Sequence, residues 1–462
     1  MGTWLRSLLE AVIGIYAAVL ALILTTGGID LGFLTLTGAA KPILVLLLLV
    51  PLRITLGGRY RLLPNSLVPL ERWVLPIRRR WDASHAAVDV ASALIPVAAT
   101  FFIAFLAELF FAPYRTRSFA MPFKREKLAQ IFAGWDSGWY FDIARRGYYF
   151  DPEGQSSIAF FPLYPLLMRA VAWPFGGTDK AVWAAGIFIA CAAFAAALLV
   201  IHRFTMQMFG DREVARRAVL YLAIFPFALF LTRVYAESLF LLTSVLAVKR
   251  AHEGRWWGAG LWGALATLSR PNGILIGLPV ALFALRGSPA PTVLASRLGA
   301  LLLIPLALAG YCAYVYSLSG DPLAWLSAQN HWGYSLGHPP WEQLLKIIGR
   351  IVKYGVYDYF FVSKMAPFRL FHGGVALMCL ALTPAIFKRL GSAMGTYVLV
   401  SLLIPLSGNA LEGVGRYSAV LFPVFMLLGS FKSSRLHEAI VITFSLLLAL
   451  FVSLFATGRP IY

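Results

Sequence analysis

The run Gly134-Trp135-Asp136-Ser137-Gly138-Trp139-Tyr140-Phe141-Asp142-Ile143-Ala144-Arg145-Arg146-Gly147-Tyr148 holds the most chemically suggestive spacing in the chain. A carboxylate flanked by Trp135 and Trp139 sits in surroundings of low polarity, where an acid is disposed to take up a proton and serve as a general base. Asp136 also precedes a short amphipathic helix: Trp139 and Ile143 stack at i and i+4, and Gly147 supplies a stop. Capping that helix is the ordinary alternative for Asp136, and the two roles are compatible. Asp142 lies on another face of the helix and reads as a solvated partner of Arg145 and Arg146. Next comes Gln155-Ser156-Ser157-Ile158-Ala159-Phe160-Phe161-Pro162-Leu163-Tyr164-Pro165-Leu166, whose prolines and aromatics make a stiff amphipathic return toward an apolar phase.

Other polar residues stand at the ends of apolar runs. Glu237 lies beside Tyr235 and Arg233; an acid so close to hydrocarbon pairs or works, and a simple pair with Arg233 is its ordinary reading. Arg270 has Ser269 and Asn272 as neighbours, and Arg416 has Asn409, Glu412 and Tyr417. An isolated arginine in such a place snorkels to the interface; these two are embedded in polar motifs. Further on, Gln329, Asn330, His331 and Trp332 precede a helix beginning near Trp341. In it Lys346, Arg350 and Lys353 fall at i, i+4 and i+7 opposite Leu344, Leu345, Ile348 and Ile351/Val352, a pattern that lies flat in a headgroup layer; anchoring to anionic lipid is its ordinary reading, and gripping a substrate's phosphate the alternative. His331 has no partner at ligand spacing and is not read as a metal ligand.

The elements that must position these residues are transmembrane helices. Of 462 residues, 60% are hydrophobic and 13% charged, against about 25% charged in an average soluble protein, and the mean hydropathy is +0.75. That excludes a soluble enzyme, a disordered tail and a fibrous repeat. Apolar runs near 20 residues long recur throughout, so the fold class is an all-α polytopic membrane protein of about 11 to 13 spans. The net charge of +19 comes from basic residues between apolar runs, where they orient helices and hold anionic lipid; no basic tract resembles a nucleic-acid module. Cys191, Cys312 and Cys379 fall inside apolar runs and give neither a disulfide framework nor a metal spacing. The first run follows one arginine, lacks a small-x-small cleavage site and reads as a retained helix.

The arginine-rich segment 53–88 anchors the topology in the cytoplasm. Spans are then expected near 8–27, 33–52, 88–112, 181–201, 218–232, 236–250, 256–270, 272–286, 298–317, 371–387, 393–406, 416–430 and 437–456. Inner loops carry Arg203/Arg212/Arg216/Arg217, Lys249/Arg250/Arg255, Arg286/Arg297, Lys388/Arg389 and Lys432/Arg435, while short outer loops carry at most one basic residue each, Arg233, Arg270 or Arg416. Two long outer loops, 113–180 and 318–370, bear amphipathic helices. The unusual residues gather on the outer side, so any chemistry faces outward. Three regions follow: an N-terminal two-helix addition with its basic loop at 1–87, a catalytic membrane core at 88–430, and a C-terminal helix at 431–462.

Taken together, Trp135-Asp136, Gly147-Tyr148 and Ala159-Phe160-Phe161-Pro162-Leu163-Tyr164-Pro165 resemble the PIG-V family of mannosyltransferases, which are of the GT-C class. Tyr235-Ala236-Glu237-Ser238, Ser269-Arg270-Pro271-Asn272-Gly273, Gly320-Asp321-Pro322-Leu323-Ala324-Trp325 with Gln329 and Trp332, and Arg416-Tyr417 with Phe422-Pro423 are similar to further family signatures, in register over about 90–430. The chain departs at Gln155-Ser156-Ser157, where many eukaryotic members carry acidic or histidine residues, and the closer likeness is to prokaryotic members. The resemblance implies a GT-C-like helix bundle and a polyprenyl phosphate mannose donor used on the extracytoplasmic face of a prokaryotic plasma membrane, or of the endoplasmic reticulum in a eukaryote. It also implies a lipid-linked or surface-glycan acceptor. Independently, the chain has no Asp-x-Asp pair and no Gly-rich strand-turn-helix unit for a nucleotide sugar.

On that footing Asp136 takes the acceptor's proton in an inverting displacement. Arg270, Arg416, Glu237, Tyr235, Asn272 and Tyr417 are expected at the donor phosphate or sugar. Trp135, Trp139, Gln155, Tyr164, Gln329 and Trp332 are expected to contact the acceptor or the loops. The sequence fixes no cofactor; a divalent cation, Mg²⁺ or Mn²⁺, bridging Asp136 and the phosphate stays open. Two rivals also stay open. One is another GT-C branch, of the protein O-mannosyltransferase or aminoarabinose transferase type, which places an acidic pair in the first loop where this chain has Asp136-Ser137. The other is a transporter or flippase, disfavoured by the absence of a half-to-half repeat.

Overall fold

The computed structural model describes residues 12, 29–30, 35–36, 85–111, 131–333, 335, 337–359, 366–409, 411, 413–459 and 461. Among them, five helices are long and apolar enough to cross a membrane: His85–Phe110, Asp179–Phe209, Pro291–Ser319, Phe368–Leu390 and Ser434–Ala456. Pro271–Ala284 and Ser392–Leu406 are shorter apolar helices. The protein is therefore an α-helical, multi-pass integral membrane protein. A two-residue antiparallel pairing of Ile29–Asp30 with Thr35–Leu36 accompanies the helices. The expected span 33–52 thus has strand at Thr35–Leu36; the rest of it, and all of 8–27 except helical Val12, lies outside the described residues.

The chain divides into two compact units. The first comprises 1–88 and 169–185. Described in it are the start of the His85 helix, the end of the Leu163–Ala172 helix, a 3₁₀ turn at Trp173–Phe175 and the start of the Asp179 helix. The second comprises 89–168 and 186–462 and holds every side chain discussed below.

Within this second unit, two of the expected spans are interrupted. In place of a helix over 218–232, the helix Arg212–Ala223 ends at Ile224, and a 3₁₀ turn, Ala228–Leu231, follows Pro226. In place of 416–430 there are two short helices, Val414–Ser418 and Phe422–Gly429, the second opening on Pro423. Similarly, 256–270 and 272–286 are separated by an extended Arg270, after which a 3₁₀ turn, Pro271–Ile276, leads into Gly277–Ala284. Proline ends the helical hydrogen-bond ladder at each place. Such breaks are tolerated at membrane depth only where protein covers them, and residues 221–241 and 418–429 are all buried.

Glycines let the backbones meet. A Cβ on Gly429 would stand 2.5 Å from the Val214 carbonyl oxygen, and one on Gly260 would stand 2.0 Å from that of Ala300. The small residue is thus the condition for close helix packing. At one end of this unit the basic loops expected on the inner side meet each other. Asp89 accepts from Arg212 at 2.9 Å and pairs with His202 at 2.9 Å. Arg217 donates to the Phe431 carbonyl at 3.0 Å, and Arg389 donates to Ser430 Oγ at 3.0 Å.

Candidate active site

The loop before the Ser137–Arg146 helix turns sharply. Trp135 has φ 45°, a left-handed conformation that is costly for a bulky residue. Ser137 N–H donates to the Gly134 carbonyl at 3.1 Å, and the Tyr235 hydroxyl donates to the same oxygen at 2.8 Å. The strained turn is thereby pinned from a second element. The helix then runs as the sequence indicates, to Gly147 at φ 90°. Asp136 occupies the N-cap position yet makes no side-chain capping bond. Its carboxylate instead accepts a hydrogen bond from Arg416 Nη1 at 2.6 Å. Capping is thus left to backbone, through Trp139 N–H to the Asp136 carbonyl at 3.1 Å.

Arg416 lies on Val414–Ser418, entered through Gly413 at φ 84°. Its Nε stands 2.6 Å from Glu237 Oε1, and Arg270 Nη1 pairs with the same oxygen. Glu237 is the fully buried first residue of the helix Glu237–His252. The simple pair of Glu237 with Arg233 is not found. Arg233 lies with its guanidinium 4.5 Å from the Phe101 ring centroid and donates to Thr232 Oγ1 at 2.9 Å. The reason is local: residues 232–236 are not helical, so the spacing of four places the two side chains in different directions.

Arg270 covers the Tyr417 ring at 4.8 Å, and Arg416 covers Tyr235 at 5.3 Å and Phe230 at 5.6 Å. Two acids and two guanidiniums, contributed by four separate elements, therefore form one neutral cluster. Asn272 stands two residues beyond Arg270, with its Oδ1 buried and without a hydrogen-bond partner among the described residues. Trp135 packs on Phe455 at 4.9 Å, so the C-terminal helix Ser434–Ala456 supplies a wall of the site.

Two residues of the site escaped the sequence reading. Tyr140, one turn beyond Asp136, is buried within electrostatic reach of Glu237, Arg270, Asp136 and Arg416. Burial, reinforced by the Glu237 charge, pushes its hydroxyl above the usual tyrosine range, so it remains a donor. The helical spacing from Asp136 was the available signal. His372 accepts from the Gly415 N–H at Nδ1, 3.0 Å, and reaches the Ile461 carbonyl through Nε2 at 3.2 Å. It thereby supports the residue next to Arg416. A lone histidine in an apolar run gives no hint of this.

The remaining expected residues form a second group, where the two long loops clasp. Trp139 stacks on Phe160 at 5.6 Å and meets the edge of Trp332 at 5.3 Å. Gln155 Nε2 donates to the His331 carbonyl at 3.4 Å, Gln329 Nε2 donates to that of Ala159 at 3.3 Å, and His331 Nδ1 donates to Gly154. Tyr164, expected at the acceptor, is wholly buried; its hydroxyl donates to the Gly186 carbonyl at 2.9 Å and its ring supports Tyr140 at 5.1 Å. Asn409 is hydrogen-bonded to Ser335 and Gly333; Glu412 lies outside the described residues. One oxygen of each carboxylate of the neutral cluster faces an arginine, Glu237 Oε2 is buried without a hydrogen-bond partner among the described residues, and no group of three His, Cys, Asp or Glu stands together among them.

Residues 99–284 match the family described as Mannosyltransferase (PIG-V). The chain is 27% identical over 175 residues to GPI alpha-1,6-mannosyltransferase 2 of Cricetulus griseus, covering 37% of this chain and 35% of that protein. It is 30% identical over 183 residues to GPI mannosyltransferase 2 of Chaetomium globosum, covering 34% and 39%. The matched stretch thus spans little more than a third of these curated relatives' length. Among solved structures, ArnT from Cupriavidus metallidurans bound to undecaprenyl phosphate is similar at 12% identity and TM-score 0.45, covering 80% of this chain and 76% of that one. The oligosaccharyltransferase AglB from Archaeoglobus fulgidus is similar at 14% identity and TM-score 0.39, covering 79% and 56%. Through residues 99–284, which include Asp136, Glu237 and Arg270, the chain is linked at family level to the PIG-V mannosyltransferases.

Proposed function

We propose that this protein is a membrane glycosyltransferase that moves a mannosyl group from polyprenyl phosphate mannose to a lipid-linked or surface-glycan acceptor on the extracytoplasmic face. The catalytic membrane core is 88–430, and the likeness to prokaryotic members is part of the same reading. The observation that carries it is the Asp136–Arg416 pair, set in a neutral cluster on the outer-loop side of the unit beneath a strained turn.

Arg416 fixes the direction of the Asp136 carboxylate, while Arg270 and Glu237 brace Arg416 from behind. The acceptor hydroxyl oxygen attacks the anomeric carbon, its proton passes to Asp136, and the electron pair of the breaking C–O bond leaves with the polyprenyl phosphate. When Asp136 takes the proton, the cluster's balance moves from neutral to one net positive charge. At the same moment the phosphate gains negative charge. A fixed array whose charge rises in step with the leaving group stabilises the transition state more than the ground state. Single displacement inverts the anomeric centre.

General-base catalysis contributes about 10²–10⁴-fold. Asp136→Asn is therefore expected to keep its elution profile and unfolding temperature in detergent while losing at least ~10²-fold in transfer of labelled mannose from polyprenyl phosphate mannose. Transfer by that variant at the wild-type rate excludes Asp136 as the base. Label that moves only from a nucleotide sugar removes the donor assignment altogether.

A further inference from the structure

A cavity of about 170 Å³, whose lining includes none of the four residues of the neutral cluster, is lined by Lys346, Arg350, Arg369, Gln343 and Asn409, with Leu411 on its apolar side. Its polar lining is built for an anion. Lys346 pairs with Glu342, which also faces His338. Among the described residues no carboxylate pairs with Arg350 or Arg369, so within that set the lining carries two unpaired positive charges. Gln343 is 9% exposed, and its Nε2 is buried with no hydrogen-bond partner among the described residues. A buried amide donor without a partner is costly unless something else supplies the acceptor. By contrast, Asp136 and Glu237 cancel Arg270 and Arg416, and a phosphate added there would meet no net positive charge.

The cavity also stands where a lipid's phosphate would lie. Its cations sit on the amphipathic helix Glu342–Tyr357, whose Leu345, Ile348 and Val352 are exposed at 57%, 56% and 81%. Apolar side chains this exposed on a membrane protein face acyl or isoprenoid chains, which places the helix at the headgroup level. Leu344 and Ile347 pack against Gly373 of the helix Ala366–Leu390. That helix carries Arg369 in the cavity and His372 under Gly415, one turn or about 5 Å apart along the axis. A group held in the cavity is therefore linked by one turn of helix to the element bearing Arg416.

We propose that this cavity binds the phosphate of the polyprenyl phosphate carrier, with Arg350 and Arg369 as charge partners and Gln343 as amide donor. The proposal rests on the donor class assigned above and deepens it: Arg270 and Arg416 hold the base, and the resting grip on the carrier's phosphate comes from Arg350, Arg369 and Gln343. As the sugar departs, the phosphodiester becomes a monoester and its charge goes from about −1 to about −2, matching the two unpaired guanidiniums.

The test uses the full chain in phosphatidylcholine nanodiscs with undecaprenyl phosphate as the probe, and phosphatidylglycerol and inorganic phosphate as competitors. A charge-assisted hydrogen bond lost from each arginine is worth about tenfold in affinity. The double variant Arg350→Gln with Arg369→Gln should therefore bind the probe about 100-fold more weakly and raise KM for the donor. The double Arg→Lys variant should keep most of the affinity. Wild-type affinity in the double Gln variant overturns the assignment of the cavity while leaving the donor class standing. Failure of the wild-type protein to bind undecaprenyl phosphate at all strikes the donor class itself. Equal displacement by phosphatidylglycerol or inorganic phosphate makes the cavity a general anion anchor and overturns its assignment to the carrier.

Discussion

Glu237 shows how much depends on a single buried charge. Its Oε1 faces two guanidiniums, and its side chain is completely buried. Removing one partner from such a group leaves an uncompensated charge in a low dielectric, which costs about 3–5 kcal/mol. Glu237→Gln is therefore expected to lower the unfolding temperature in detergent by several degrees; an unchanged transition would mean that the cluster contributes little to stability. Arg233 is the opposite case. It is equally buried, but its Nε and Nη2 have no partner among the described residues. Replacing an unpaired buried charge by an apolar side chain of similar length is often neutral or stabilising. Arg233→Met should therefore unfold within a degree or two of wild type, or above it, in the same assay. The sequence suggested that 233 and 237 pair because they are close; the partners of Glu237 lie 33 and 179 positions away, at Arg270 and Arg416.

At the scale of elements, the short helix Val414–Ser418 decides where Arg416 points. Gly415 lies against Phe227, whose ring atoms would stand 2.3 Å from an added Cβ. Gly415→Ala must therefore push this helix away from the Ala228–Leu231 turn and carry Arg416 off Asp136. Transfer should fall at least ~10-fold, since misplacement by about 1 Å costs up to 10², and adding Phe227→Leu should restore part of it. No recovery in the double variant would mean that the loss has another source. On the opposite side of the unit, Asp211 caps the helix Arg212–Ala223, and hydrogen bonds from Arg216, with Arg217 beside it, hold the Glu213 carboxyl at about 2, below its ordinary 4.5. A depressed carboxylate stabilises fully above its unfolded value and loses that contribution as pH falls through its folded one. The difference in unfolding temperature between wild type and Glu213→Gln should thus be flat above about pH 5 and vanish toward pH 2. A difference that persists at pH 2 would point to packing instead.

For the molecule as a whole, the alternation of basic loops predicts which side each end faces. In a background with Cys191, Cys312 and Cys379 replaced by alanine, Glu153→Cys in intact cells should react with an impermeant maleimide. Lys432→Cys should react only after the membrane is opened. The reverse pattern would put Asp136 on the cytosolic side and end the proposal of an extracytoplasmic donor site. The loops at 202–217 and 430–437 touch through Arg217 with Phe431 and through Tyr221 with His437. The loops at 149–161 and 329–332 touch through Gln155, Gln329 and Trp332. Segments that the charge pattern assigns to a common side therefore meet in space.

Composition and periodicity by themselves determined that this chain crosses a membrane repeatedly, that Ser137–Arg146 is an amphipathic helix, and that the reactive residue types gather in the two long loops and at span ends. These are properties of near neighbours, which a linear reading captures. Hydropathy could not see that 218–232 and 416–430 are interrupted, because it registers the polarity of side chains and not the continuity of the backbone. Nor could it see that Asp136 turns away from its own helix to Arg416, 280 positions on. Ion pairing depends on direction and distance over a few ångströms, and only the packing of four elements against each other sets those. Tyr164 became a buried support for the same reason: tertiary packing decides which polar groups satisfy one another.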